Sequence, residues 1–178
     1  GTKIITTGII YNTDLCKEEV TSFKDLTNAS LRDNTIMPSP LYSGAAAYNV
    51  GVMSRNNSLT WDYFQNLKSN GIKVDKGNGA ILKAVSSGQK AAGLIVDYMA
   101  IRAKNDGSPV KFVYPSEGSP AITEPIGIVK GSKNEDLAKA FVDYVLSTEG
   151  QTLASEMGYT PIKSCLLYTS PSPRDRTR

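Results

Sequence analysis

A chain of 178 residues with 40% hydrophobic and 21% charged residues can bury one sizeable core, or one complete lobe and part of a second, and it holds no apolar run near the roughly 20 residues that a membrane helix needs. The formal charge is +3, but the last five residues carry three Arg and one Asp, so the remainder carries +1, too little for a nucleic-acid or membrane-surface footprint. Histidine is absent, which removes the commonest general base and metal ligand together and disfavours zinc enzymes and Ser-His-Asp hydrolases.

In chain order, Ile4 to Tyr11 is rich in β-branched and aromatic residues and reads as a strand stopped by Asn12-Thr13-Asp14. Ser22 stands three residues before Asp25, a capping-box spacing that predicts a short helix. Thr35 to Met37 reads as a strand ending at Pro38-Ser39-Pro40. A helix follows over Gly44 to Ser54, with Tyr48, Val52 and Met53 on its spacing. Thr60 is the expected N-cap of an amphipathic helix bearing Trp61, Phe64 and Leu67, terminated at Asn70-Gly71. Next come a strand at Ile72 to Val74, a helix at Ala80 to Ser87 closed by Gly88, and a buried strand at Ala92 to Val96.

Beyond these, Asp97 to Lys104 is expected to be helical, Val110 to Tyr114 a strand, and Ile122 to Val129 a longer strand interrupted by Pro125. Asn134 is the expected cap of a strong helix with Leu137, Phe141, Tyr144 and Val145 on one stripe. A last helix is expected over Glu149 to Met157. Strands alternating with helices point to an α/β architecture with a largely parallel or mixed sheet. The two cysteines, Cys16 and Cys165, lack metal-ligand spacing and are expected to carry no function.

Three constellations could carry chemistry. Pro38-Ser39-Pro40-Leu41-Tyr42-Ser43-Gly44 runs into a helix, and free N–H groups at a helix start, the positive end of its dipole and the Ser43 hydroxyl suit an anion; the plainer reading is that Ser43 only caps. Gly77-Asn78-Gly79 is a second glycine-lined helix start. It lacks the Lys-Ser/Thr ending of a P-loop and the third glycine of a dinucleotide fingerprint, so no nucleotide or other cofactor is expected. Asp97 and Tyr98 follow a buried strand at the end where open α/β sheets bind ligands, although Asp97 is equally placed to cap a helix. Glu117, with Ser116, is expected near the same rim.

Taken in order, GIIYNTD (8–14), MPSPLYSGAAAYNVG (37–51), IKVDKGNGAILKAVSSGQKAAGLIVDYMAIRAK (72–104) and the stretch from Val113 to Lys163 resemble the type II periplasmic binding proteins. These are the extracellular solute-binding components of ABC importers that carry iron(III), phosphonates and hexose phosphates. The resemblance implies a mixed-sheet lobe flanked by helices plus part of a second lobe. Residues 1–10 would be a crossing strand, 11–120 the ligand-binding lobe, and 121–163 the return strand and helices of an incomplete first lobe. It implies capture of a small anionic ligand, such as a phosphonate, phosphate ester or carboxylate, in a cleft built with Tyr42, Ser43, Gly44, Gly77, Asn78, Gly79, Asp97, Tyr98 and Glu117. Asp97 would pair with an amine, as 2-aminoethylphosphonate would offer. A membrane permease is the implied partner, with no catalytic residue, no nucleic acid and no resident metal.

Iron carriers of the group use two adjacent tyrosines. Here Tyr98 is followed by Met99, a poor ligand for a hard cation, so iron is the less favoured cargo. The effector-sensing domain of a transcription regulator is the other reading of the same fold. The likeness implies a periplasmic or cell-surface lipoprotein location, with the export signal and the start of the first lobe expected upstream of Gly1. Cys165 to Asp175 (CLLYTSPSPRD) resembles a translated sequencing adapter, so 164–178 is expected to be an extraneous tail. The stripe of the 134–147 helix, deprived of first-lobe partners, is expected to leave an apolar patch exposed.

Overall fold

The computed structural model describes residues 1–163, so the adapter-like stretch and Cys165 lie outside the described residues. The described chain divides into two compact units, one formed by Thr6–Pro120 and the other by Gly1–Ile5 with residues 121–163.

The larger unit is a mixed sheet between two helical layers. Its strands are the part of β1 (Lys3–Asn12) from Thr6 on, β2 (Thr35–Pro38), β3 (Lys73–Asp75), β4 (Ala92–Val96) and β5 (Val110–Val113), in the order β3-β2-β4-β1-β5. β2 runs parallel to both β3 and β4, whereas β1 is antiparallel to β4 and to β5. Helices α1 (Gly44–Met53), α2 (Thr60–Ser69), α3 (Asn78–Ser86) and α4 (Asp97–Asn105) connect the strands.

Side-chain alternation along the strands divides the core in two. On one face Ile9, Tyr11, Met37 and Leu94 pack with Phe23, Leu26, Met53, Tyr63 and Leu67. On the other, Ile10, Ile36, Ile95 and Phe112 pack with Ile81, Val85, Ala100 and Ile101.

Most boundaries fall within two residues of expectation, and the departures have local causes. The Ser22 segment forms a 3-10 turn, Phe23–Thr27, with the expected capping box to Asp25. α1 buries Ala46, Asn49 and Met53, so Tyr48 and Val52 face outward. Thr60 is the first residue of α2 rather than its cap, which is Leu59. The buried face of α2 is Tyr63 and Leu67, while Trp61 is 55% exposed and leans on Phe64. Gly71 ends α2 in the left-handed region, at φ 76°, as a terminator glycine should.

In the smaller unit, β6 (Ala121–Glu124) pairs with the first residues of β1, where Thr2 N–H donates to Glu124 O at 2.8 Å and Lys3 pairs with Glu124. The expected strand to Val129 stops here because Pro125 has no N–H to continue a ladder. Helices α5 (Glu135–Leu146) and α6 (Thr148–Glu156) follow, α6 being capped by Ser147, whose Oγ accepts from Gly150 N–H; Asn134 precedes α5 but makes no side-chain capping bond. Gln151 is wholly buried and holds this unit together. Its Nε2 donates to the carbonyls of Thr2 and Val145, at 2.6 and 2.9 Å, and its Oε1 accepts from Ile162 N–H.

Candidate functional site

Because β2, β3 and β4 are parallel neighbours, the helix starts that follow them share one edge of the sheet. The register is level there, with Pro38 opposite Asp75 and Ile36 opposite Gly93. β5 runs the same way as β4, since both oppose β1, so Tyr114 leaves the sheet at this edge too. Thr6 and Thr7 of β1 arrive from the other direction, Thr7 lying opposite Val96.

At the first start, Ser39 N–H donates to Asp75 O at 2.6 Å, and the Ser39 carbonyl accepts from Tyr42 and Ser43 N–H at 3.1 and 2.9 Å. These bonds wind the loop into α1. Ser43 caps the helix, its Oγ accepting from Ala46 N–H at 3.2 Å, while Tyr42 stands 72% exposed beside it. The second start, at Gly77, has no side-chain cap at all. Orphan N–H groups of a helix's first turn are satisfied by caps, water or ligands.

The glycines here are not explained by the fold. A Cβ placed on Gly44, Gly77 or Gly79 would meet nothing within 4 Å, and none of the three has a positive φ. Gly93, by contrast, lies 2.5 Å from Ile36 O by the same construction, a packing requirement. Open space in front of bare amides is what a ligand approaching the backbone needs. Charge points the same way: α2, α4, α5 and α6 each carry an acidic residue in their first turn, and α1 and α3 carry none. The dipoles of these two helices therefore meet no carboxylate from their own first turn. Asp75 lies nearby, but its carboxylate already accepts from Lys76 N–H at 2.8 Å and pairs with Lys73 at 3.0 Å, which together hold its pKa below the ordinary value.

Several predicted side chains turn inward. Asn78 Oδ1 accepts from Val96 N–H at 3.1 Å, so this residue offers its amide to the edge and its side chain to the sheet. Asp97 is 1% exposed. Its Oδ2 accepts from the hydroxyls of Thr6 at 2.7 Å and Tyr114 at 3.5 Å, and its Oδ1 from Tyr98 N–H at 2.8 Å. A buried carboxylate needs such donors, and these tie it to strands and not to open solvent. Tyr98 lies along Arg102, whose guanidinium is 5.1 Å from the ring centre.

Glu117 is engaged elsewhere. It accepts from the Ser22 hydroxyl and the N–H groups of Phe23 and Lys24, capping the 3-10 turn. Sequence reading missed Thr6, Thr7, Asn49 and Tyr114; of these, only Asn49 carried a local signal, a polar residue three after Ala46 and four before Met53 on the buried face. Among the described residues no group of three or more His, Cys, Asp or Glu could hold a metal ion, and no helix is long and apolar enough to cross a membrane.

Residues 6–160 match the model of a family described as bacterial extracellular solute-binding protein. The chain belongs to that family. An uncharacterised protein of Haemophilus influenzae is 30% identical over 144 residues, 80% of this chain and 42% of its own length. A Salmonella typhi protein named as a candidate 2-aminoethylphosphonate-binding periplasmic protein is 25% identical over 169 residues, 87% of this chain and 49% of its own.

Among solved structures, the periplasmic binding protein AfuA of Actinobacillus pleuropneumoniae, with fructose-6-phosphate bound, superposes with a TM-score of 0.78 at 27% identity, over 92% of this chain and 54% of that one. The sulfate-binding protein SubI of Mycobacterium tuberculosis shares the fold, at a TM-score of 0.80 and 21% identity, over 96% of this chain and 62% of that one. The chain spans about half the length of the curated relatives it matches. The α/β lobe of a type II periplasmic binding protein is thus the fold, as the sequence led one to expect.

Proposed function

We propose that this chain is the ligand-holding part of an extracytoplasmic solute-binding component of an ABC importer, and that its cargo is a small anion such as a phosphonate, a phosphate ester or a carboxylate. The observation that carries this reading is the pair of adjacent helix starts, α1 and α3, which have no first-turn carboxylate and whose glycines face open space. The compact unit Thr6–Pro120 supports taking residues 11–120 as the ligand lobe, with 1–10 and 121–163 as crossing strand and return. The names of the phosphonate- and hexose-phosphate-binding relatives support the anionic class.

In this reading the anion is held by the amides of Gly44, Ala45, Asn78 and Gly79 and by the hydroxyls of Ser39 and Ser43. Tyr42 stands over the edge, and Asp97 stiffens the edge from behind instead of pairing with a ligand amine. A cleft that closes on its ligand and then engages a permease outside the cytoplasmic membrane completes the proposal. Isothermal titration with inorganic phosphate, methylphosphonate, 2-aminoethylphosphonate and a neutral alcohol of similar size tests it. Binding of the anions alone is expected; equal affinity for the neutral compound would remove the basis for the assignment.

A further inference from the structure

Of the three α1 residues that face the core, Ala46 and Met53 are apolar and Asn49 is not. Asn49 is 5% exposed. Its Nδ2 donates to the Thr7 hydroxyl at 2.8 Å, and its Oδ1 has no partner. Turning the amide over would only exchange which end is left over. Leucine has the same branched skeleton, with methyls in place of the amide atoms, and would avoid this desolvation cost. The void beside Asn49, lined by Met37, Pro38, Phe64 and Leu94 among others, measures about 10 Å³, too small for any ligand, so Asn49 is not kept to touch one. What it does touch is Thr7, itself 2% exposed and paired across the ladder with Val96.

Around that pairing, hydrogen bonds tie all three helices to the sheet. Val96 N–H goes to Asn78 at the head of α3, the Thr6 hydroxyl goes to Asp97 at the head of α4, and the Thr7 hydroxyl receives Asn49 of α1. The hydrophobic effect is non-directional, whereas a hydrogen bond fixes distance and angle together.

We propose that the Thr7–Asn49 bond is a positioning contact that sets the register of α1 on the sheet, so that the amides of Gly44 and Ala45 stand level with those of Asn78 and Gly79. This rests on the anion-binding reading above. Asn49 and Thr7 touch no ligand themselves; they act through the first turn of α1.

The test uses Asn49→Leu, Thr7→Val and the double variant of the 178-residue chain, with three readouts. These are the thermal midpoint, ligand-free hydrogen exchange at the Ala46 and Ala47 amides that bond to Ser43, and an NMR titration with inorganic phosphate that follows the Gly44 and Gly79 amides. Asn49→Leu should keep or raise the midpoint. Thr7→Val should lower it by leaving the Asn49 amide without a partner, and the double variant should regain it. In all three, exchange at Ala46 and Ala47 should accelerate about three- to tenfold, the worth of one net hydrogen bond, and phosphate affinity should fall by a similar factor.

A merely structural role would make exchange follow the midpoint, so Asn49→Leu with wild-type exchange would overturn the proposal. Amides of the unaltered chain that do not shift with phosphate would sink the anion-binding reading, and exchange would still decide the positioning role by itself.

Discussion

Single residues at the sheet edge divide into those that shape the backbone surface and those that support it from within. Gly79 belongs to the first kind, having no positive φ and no neighbour within reach of an added Cβ. Alanine there should therefore leave stability unchanged or raise it by up to about 1 kcal/mol, the helix-propensity difference between the two residues. The added methyl would nevertheless stand between the amides and an anion. Phosphate affinity of Gly79→Ala should fall about tenfold, equivalent to one lost hydrogen bond, with an undiminished thermal midpoint. Calorimetry beside a thermal melt checks both halves, and a drop in the midpoint without loss of affinity would make Gly79 a structural glycine. Asp97 belongs to the second kind, its carboxyl held by two hydroxyls and a backbone amide inside the sheet edge.

Among the elements, the 3-10 turn Phe23–Thr27 shows how a distant loop completes a local motif. Ser22 and Asp25 form the capping box by themselves, but the outward donors of the turn are met by Glu117, which lies beyond β5. Partial burial pushes the Glu117 carboxyl up. Hydrogen bonds from the Ser22 hydroxyl and from the N–H groups of Glu117, Phe23 and Lys24 outweigh burial and hold its pKa below the ordinary carboxylate value.

A depressed pKa contributes stability above the unfolded value, near 4.3, and loses it as pH falls through the folded value. Glu117→Gln should cost about 1 kcal/mol at pH 7, less than a fully buried charge-assisted bond because the carboxylate stays partly in water, and this difference should shrink as the pH falls below about 4. Urea titrations of both proteins at pH 7, 5 and 3 measure it. A difference independent of pH would mean that packing, not charge, holds the loop.

For the molecule as a whole, the notable feature is an apolar face that no described residue covers. No residue of α5 is buried, and Leu137, Phe141 and Tyr144 are 72%, 62% and 49% exposed, with Val129 at 80%. Exposed apolar side chains of this kind drive association in water. The chain by itself should elute from size exclusion at a concentration-dependent mass, and Phe141→Lys should move it toward the monomer. A sharp monomer peak at every concentration would contradict this.

Much of the molecule could be read along the chain because the signals are local. The order of strands and helices, the Ser22–Asp25 box, the terminator glycine at Gly71 and the two glycine-lined helix starts each depend on residues within one or two turns of each other, and hydrophobic period and turn chemistry act over that range. The sequence by itself therefore determined the α/β alternation and the backbone amides of the candidate site. Tertiary structure alone decided where the polar side chains point. Asn78 turns to Val96, Asp97 to Thr6 and Glu117 to Ser22, across 18, 91 and 95 residues of chain. A buried polar group must find a donor or acceptor wherever the fold supplies one, and no local pattern encodes which strand that will be.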